Sequence, residues 1–185
     1  MSTLAQRKMT VDEFLAWAEG REGRWELYNG VPYAMPSERT RHAKVKFAVQ
    51  TALLRSIRKA GVRCHMLPDG VGVRISQHVM HEPDALVYCG AELPGDALEV
   101  PSPVILVEVA SPSTRDFDDT VKLDGYFSLQ SVHHYLIVDP EGPPVIHYCR
   151  QSDGTPLRSV VHEGILALSP PGLVVSLAEA FAVAA

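Results

Sequence analysis

The run Val104-Ile105-Leu106-Val107-Glu108-Val109 is apolar at every position but one, the pattern of a central strand buried on both faces. Asp84 to Tyr88 (Asp84-Ala85-Leu86-Val87-Tyr88) reads as a second strand, Val71 to Ile75 as a third and His134 to Val138 as a fourth. Asp139-Pro140-Glu141-Gly142-Pro143-Pro144 then turns the chain into a strand from Val145 to Cys149. Asp153-Gly154 turns it again toward Leu157 to His162. Between Thr40 and Ala60 the period changes to that of a helix. Val45, Val49, Ala52, Leu53 and Ile57 fall on one stripe, and Gly61 suits the position just past the helix end.

Shorter signals complete the order. Thr10-Val11-Asp12-Glu13 is a capping box opening a short helix through Phe14, Leu15 and Trp17. Arg24 to Tyr33 reads as a hairpin turning at Asn29-Gly30. Ser111-Pro112-Ser113-Thr114 breaks the chain after the central strand. A helix is expected from about Phe117 to Leu129, with Asp116, Asp118 and Asp119 near its positive end. The tail from Leu177 is expected to be a short apolar helix. Pro68-Asp69-Gly70 reads as a turn. The fold class is α/β, a mixed α+β sheet flanked by helices, with an N-terminal helix and hairpin. No repeat or linker divides it, so residues 1–185 read as a single domain.

The pattern isolates two carboxylates. Asp84 begins one strand and Glu108 sits near the end of another. If those strands pair, the two side chains lie side by side at one sheet edge. An ionised Glu108 among Val, Ile and Leu would be costly if buried alone, so something should compensate it. Lys122 follows on the next helix, with Tyr126 four residues on. Two acids and a lysine are the parts needed to hold Mg²⁺ against a phosphodiester, since that ion takes oxygen ligands, one or two carboxylates among them. Glu26 on the hairpin could add a third carboxylate, or be an exposed strand residue. Lys122 could equally be a surface lysine. His42, at the start of the long helix, could contact a phosphate or water, or simply open the helix. Ser111 and Ser113 could present backbone N–H groups to an anion, or cap the next helix.

Composition narrows the reading. The 185 residues are 46% hydrophobic and 21% charged, as in an ordinary globular protein. No apolar run reaches a membrane span and Met1 to Lys8 has no apolar core of a signal, so a cytoplasmic address without membrane association is expected. Cys64, Cys89 and Cys149 have no zinc spacing and are expected to be reduced, mostly buried thiols. His78 and His81 alone do not fill a zinc site. No G-x-S-x-G and no Cys/His pairing suggests a nucleophilic hydrolase. The net charge of −5 hides an asymmetry. Arg39 to Arg63 carries eight cations and no acid, leaving −5 − 8 = −13 on the remainder. Such a segment, Lys44 and Lys46 included, can put a basic face on an acidic protein, or be a solvated helix face.

Taken together, Pro83-Asp84, Glu108-Val109-Ala110-Ser111-Pro112-Ser113-Thr114, Lys122-Leu123-x-x-Tyr126 and Tyr135-Leu136-Ile137-Val138-Asp139-Pro140 resemble the Uma-two family. Its members are restriction-endonuclease-like proteins of the PD-(D/E)XK nuclease superfamily. Met9 to Phe14, Glu26-Leu27-x-x-Gly30 and His42 match its N-terminal pattern, and the resemblance spans roughly residues 8 to 181. It implies a restriction-endonuclease-like core and a metal held by Asp84, Glu108, the main-chain carbonyl of Val109 and Glu26. Where the superfamily often has a lysine two residues after the second acid, this chain has Ala110, which transfers that role to Lys122. The expectation is an Mg²⁺-dependent endonuclease acting on DNA, with Mn²⁺ able to substitute, working as a homodimer. His42, Lys44, Lys46, Ser111, Ser113 and Tyr126 would be the substrate-binding groups. The competing expectation is a catalytically silent nucleic-acid-binding or accessory module on a nuclease fold.

Overall fold

The computed structural model describes residues 7–110 and 117–181. Helix α1 (Val11–Ala18) starts on the capping box: Thr10 Oγ1 accepts from the Glu13 N–H and Glu13 accepts from the Thr10 N–H. The hairpin β1 (Trp25–Tyr28) and β2 (Val31–Ala34) turns at Asn29 and Gly30, with φ of 53° and 80°. Two successive left-handed residues are what a two-residue hairpin requires. Helix α2 (Thr40–Ala60) buries Val45, Val49, Ala52, Leu53 and Ile57 and ends on Gly61 at φ 63°, as the apolar stripe predicts.

Next come β3 (Cys64–Pro68), β4 (Val73–Ser76), β5 (Val79–His81), β6 (Ala85–Cys89) and β7 (Pro103–Val109). Helix α3 opens with a π-helical turn, Asp118–Lys122, and continues as α-helix over Leu123–Ser128. Strands β8 (His134–Val138), β9 (Val145–Arg150) and β10 (Pro156–Val161) follow. The hairpin β11 (Ile165–Leu168) and β12 (Leu173–Ser176) and helix α4 (Leu177–Ala180) close the chain. No helix among the described residues is long and apolar enough to cross a membrane.

The central sheet has the order β10-β9-β8-β7-β6-β3, and a smaller one the order β2-β1-β5-β4. The central sheet is mixed: β7 and β8 run parallel while its other neighbours are antiparallel. One face packs Ile105, Val107, Leu136 and Val138 against α2 and the β11–β12 hairpin. The other packs Leu106, Tyr135 and Ile137 against Tyr126 of α3. Val11 and Phe14 of α1 cover Leu27 and Met80 on the smaller sheet.

Four short strands escape the sequence pattern: β3, β5 and the β11–β12 hairpin. β5 has three residues and β3 lies between Gly61 and a Pro-Asp-Gly bend, too short a run for its period to show. The pairing of β3 also overturns the expectation of three reduced thiols. β3 pairs with β6 so that Cys64 faces Cys89, and the two form a disulfide, leaving Cys149 as the free thiol. Neighbouring antiparallel strands bring directly opposed side chains close enough to join. That proximity depends on a strand pairing the separation in sequence does not reveal.

His134 is buried on the helix-α2 side of the sheet, 2.9 Å from His147, and its pKa falls from 6.5 to about 4 because burial and the neighbouring imidazole disfavour its charge. Between these values the unfolded chain binds a proton that the folded chain does not, so stability drops as pH falls from about 6.5 toward 4. The full effect of such a shift is about 3 kcal/mol. We expect urea denaturation to show this loss in the wild type and a shallower slope across the same window in His134→Gln.

Candidate active site

The register Ala85↔Val107 sets Asp84, one residue earlier, across from Glu108 at the end of the β6–β7 ladder. Asp84 Oδ2 accepts the Val109 N–H at 2.7 Å and lies 3.4 Å from His42 Nε2, while Gln50 donates to the Asp84 carbonyl at 2.8 Å. Glu108 is buried and receives two donors on Oε1: Lys122 Nζ at 2.8 Å and the Tyr126 hydroxyl at 2.7 Å. Lys122 Nζ also lies 3.0 Å from Glu26 Oε1 and 3.8 Å from Asp118 Oδ1. The compensation that a strand-borne Glu108 demands is thus Lys122, held on the π-helical turn of α3. Glu26 is positioned by the hairpin, and its Oε1 also accepts the Glu82 N–H at 2.8 Å.

His81, Asp118, Arg24, Glu38, Asp69 and Glu82, none of them assigned to the site from the sequence, complete the cluster together with Lys46. His81, buried, lies 3.8 Å from Glu26, and neither of its ring nitrogens has a hydrogen-bond partner among the described residues. Asp118 sits one turn before Lys122. Arg24 ties Glu82 at 2.5 Å, Asp69 at 2.6 Å and Glu38 at 3.0 Å together. Lys46 pairs with Glu38, with Asp69 at 2.8 Å and with Asp84 at 3.7 Å. Asp69 comes from the Pro-Asp-Gly bend, whose turn signal masks its charge. Glu82, two residues before Asp84, carries the one local cue, proximity to Pro83-Asp84.

The expected residues fall in three places. Asp84, Glu108, Lys122, Glu26, Tyr126, His42 and the backbone of Val109 come together at the ladder end. Lys44 is exposed on α2 with Arg41, Arg55, Arg58 and Lys59. Lys46, grouped with Lys44 by charge, is instead turned inward and bound to three acids. Ser111 and Ser113 lie outside the described residues.

The electrostatics follow from burial. Glu108 loses its hydration and faces Asp84, Asp118 and Glu26, so its pKa rises well above the usual carboxylate range despite Lys122. Burial opposes the charge of Glu26 too, but Lys122 and His81 outweigh it and hold Glu26 at about 2. Asp84, also buried, is kept low by His42 and the Val109 N–H. Burial works against the Lys122 ammonium, yet Glu108, Glu26 and Asp118 raise its pKa and keep it charged. Glu26, Glu38, Asp69, Glu82, Asp84, Glu108 and Asp118 face Arg24, Lys46 and Lys122. Among the described residues, with every group ionised, the cluster carries 3 − 7 = −4. Glu38, His42 and Asp84 each bring a ligand atom within 4.8 Å of the others. An excess of oxygen donors and negative charge suits a hard divalent cation.

A mixed sheet with acids at the end of its central ladder is the architecture of a restriction-endonuclease-like fold. A solved structure from Anabaena variabilis, described as a "putative nuclease", matches 96% of this chain and 99% of its own with a TM-score of 0.75 at 17% identity. An uncharacterised protein of Synechocystis sp. is 24% identical over 148 residues, 80% of this chain and 77% of its own. The chain belongs to the Uma2 family, described as "Putative restriction endonuclease", whose pattern matches residues 11–183.

Removing one partner from a buried ion pair strands the other charge at a cost of about 3–5 kcal/mol. Lys122→Met should therefore destabilise the fold by that order in urea denaturation. Adding Glu26→Gln to it should recover part of the loss, because Glu26 is the carboxylate that Lys122 holds ionised, whereas Glu108 can take a proton.

Proposed function

We propose that this protein is a divalent-metal-dependent endonuclease that hydrolyses DNA phosphodiester bonds, with Mg²⁺ as its ion, Mn²⁺ as a substitute, and a homodimer as the working form. The observation that carries the reading is the convergence of Asp84, Glu108 and Lys122 from two strands and a helix. The residues that would hold such an ion are Asp84, Glu108, Glu26 and the Val109 carbonyl, beside Glu38, His42 and Asp84, whose ligand atoms already lie within 4.8 Å of one another. When bound, the ion would polarise a phosphoryl oxygen and lower the pKa of a bound water.

The remaining roles fall to the chain itself. Lys122, firmly cationic, neutralises charge that develops on the phosphate in the transition state. Tyr126 fixes the rotamer of Glu108 through Oε1. The Val109 N–H and His42 hold Asp84 ionised and oriented toward the ladder end. The exposed cations of α2 run from Arg41 to Lys59 and offer contacts to a phosphate backbone, so binding weakens steeply with salt. A twofold arrangement of two such sites would reach both strands of a duplex.

The ammonium of Lys122 already occupies oxygens of both Glu26 and Glu108, and this favours a second reading, a nucleic-acid-binding module without cleavage. One experiment separates the two. Supercoiled plasmid incubated with the protein in Mg²⁺ or Mn²⁺ should be nicked, and Asp84→Ala and Glu108→Ala should each lower the rate by about a hundredfold or more. Millimolar Mg²⁺ should also raise the unfolding midpoint of the wild type but not of the two variants, because the ion binds only the folded arrangement. Plasmid binding without nicking would select the second reading. Equal nicking by wild type and variants would end the first.

A further inference from the structure

A second group of ligating side chains lies on the other face of the central sheet, away from Glu108. His134 of β8 pairs with Ile105 of β7, and Ile105 faces α2, whereas Glu108 faces α3. Cys149 of β9 is directly opposite His134 in the β8–β9 ladder, and His147 is two residues before Cys149 on the same strand. A period of two puts all three on one face. His134 Nδ1 and His147 Nε2 are 2.9 Å apart, and with the Cys149 thiol each residue brings a ligand atom within 4.8 Å of the others. His134 and His147 are buried, and Cys149 is half-buried.

The geometry points to a transition-metal site here, formed by His134 Nδ1, His147 Nε2 and Cys149 Sγ, that takes a divalent cation of borderline softness such as Zn²⁺. Two imidazoles and a thiolate select that class over Mg²⁺ or Ca²⁺. Such a cation sits about 2.1 Å from each nitrogen and about 2.3 Å from the sulfur, so small rotations of three side chains complete the set.

A further contact supports the assignment. His134 Nε2 lies 3.0 Å from the Pro170 carbonyl, which can only accept, so that nitrogen carries the proton. The lone pair of His134 is thereby fixed on Nδ1, aimed at the cluster. A ligating histidine usually donates its other N–H in this manner, and the bond sets tautomer and ring orientation. Burial lowers the pKa of both histidines, so both are neutral and competent as ligands near neutral pH. Burial raises that of the Cys149 thiol, so it is protonated before the ion arrives. Without a cation, His147 Nε2–H donates to His134 Nδ1. On binding, the His147 proton moves to its Nδ1, the Cys149 S–H gives its proton to solvent, and one proton is released per ion. The ion would pin β8 and β9 together, and through Pro170 the turn between β11 and β12.

The test uses the full chain with its Cys64–Cys89 disulfide intact, so Cys149 is the sole source of thiolate. Purified protein is titrated with Co²⁺ and with Zn²⁺. The expected result is one equivalent bound with a near-ultraviolet thiolate-to-Co²⁺ charge-transfer band. Release of one proton per Zn²⁺ and a raised unfolding midpoint should accompany it, and excess Mg²⁺ should leave all of these unchanged. Asp84→Ala, which removes the Glu38–His42–Asp84 group as a competitor, should keep the band. Cys149→Ser should abolish it and weaken Zn²⁺ binding by about a hundredfold or more, because a direct ligand is lost and even an outer-shell partner is worth up to that much. Absence of the sulfur-to-cobalt band in the wild type, or Zn²⁺ affinity unaltered by Cys149→Ser, overturns the proposal. The three side chains would then be only a buried histidine pair beside a thiol.

Discussion

The Lys122 ammonium is the interaction on which the site depends. Glu108 is on the central strand, where sheet neighbours remove its water, and an isolated carboxylate there would take a proton or unfold the strand end. Lys122 answers it at 2.8 Å and also reaches Glu26 of the smaller sheet at 3.0 Å and Asp118 of its own helix at 3.8 Å. One cation thus joins both sheets and α3. The π-helical turn that carries it matters, because such turns shift side chains relative to a regular helix and recur at functional sites. A group of this kind adds little net stability compared with an apolar packing of the same volume, but leaving it half-made is costly.

The acids around this lysine and the basic face of α2 are two halves of one charge distribution. Lys46 shows where they meet. It lies on the same helix as Lys44, but the helical period turns it inward, where it neutralises Glu38, Asp69 and Asp84, while Lys44 faces solvent. Among the described residues, even with Lys46 and Arg24 counted, the acids outnumber the cations. This deficit is what a divalent ion would correct. The exposed cations of α2 give the molecule a basic face despite a net charge of −5 for the whole chain.

The likeness to the Anabaena variabilis structure at 17% identity shows how little of the sequence the architecture requires. What it requires is apolar alternation that buries both sheet faces, with polar exceptions where strands end. Glu108 is one exception, on the α3 face. The His134, His147 and Cys149 group is another, on the α2 face. The two are separated by the sheet itself, so they can differ in the hardness of the ion they favour.

Local periodicity determined α1, the Asn29-Gly30 hairpin, α2, β6 through β10 and α3, because each has its own apolar stripe, cap or turn residue within a few positions. The same periodicity singled out Asp84, Glu108 and Lys122, since a charge inside an apolar run is visible without knowing the fold. Tertiary structure alone decided what meets those charges. Asp69 looked like a turn residue, Lys46 like a surface cation and His81 like half of a failed metal pair, yet all three turn inward to the cluster. The Cys64–Cys89 bond likewise needed the pairing of β3, a strand too short to announce itself, with β6. Side-chain alternation is a property of a few neighbouring residues, and the chain writes it directly. Which strands become neighbours is settled by burial summed over the whole molecule, and no single segment carries that sum.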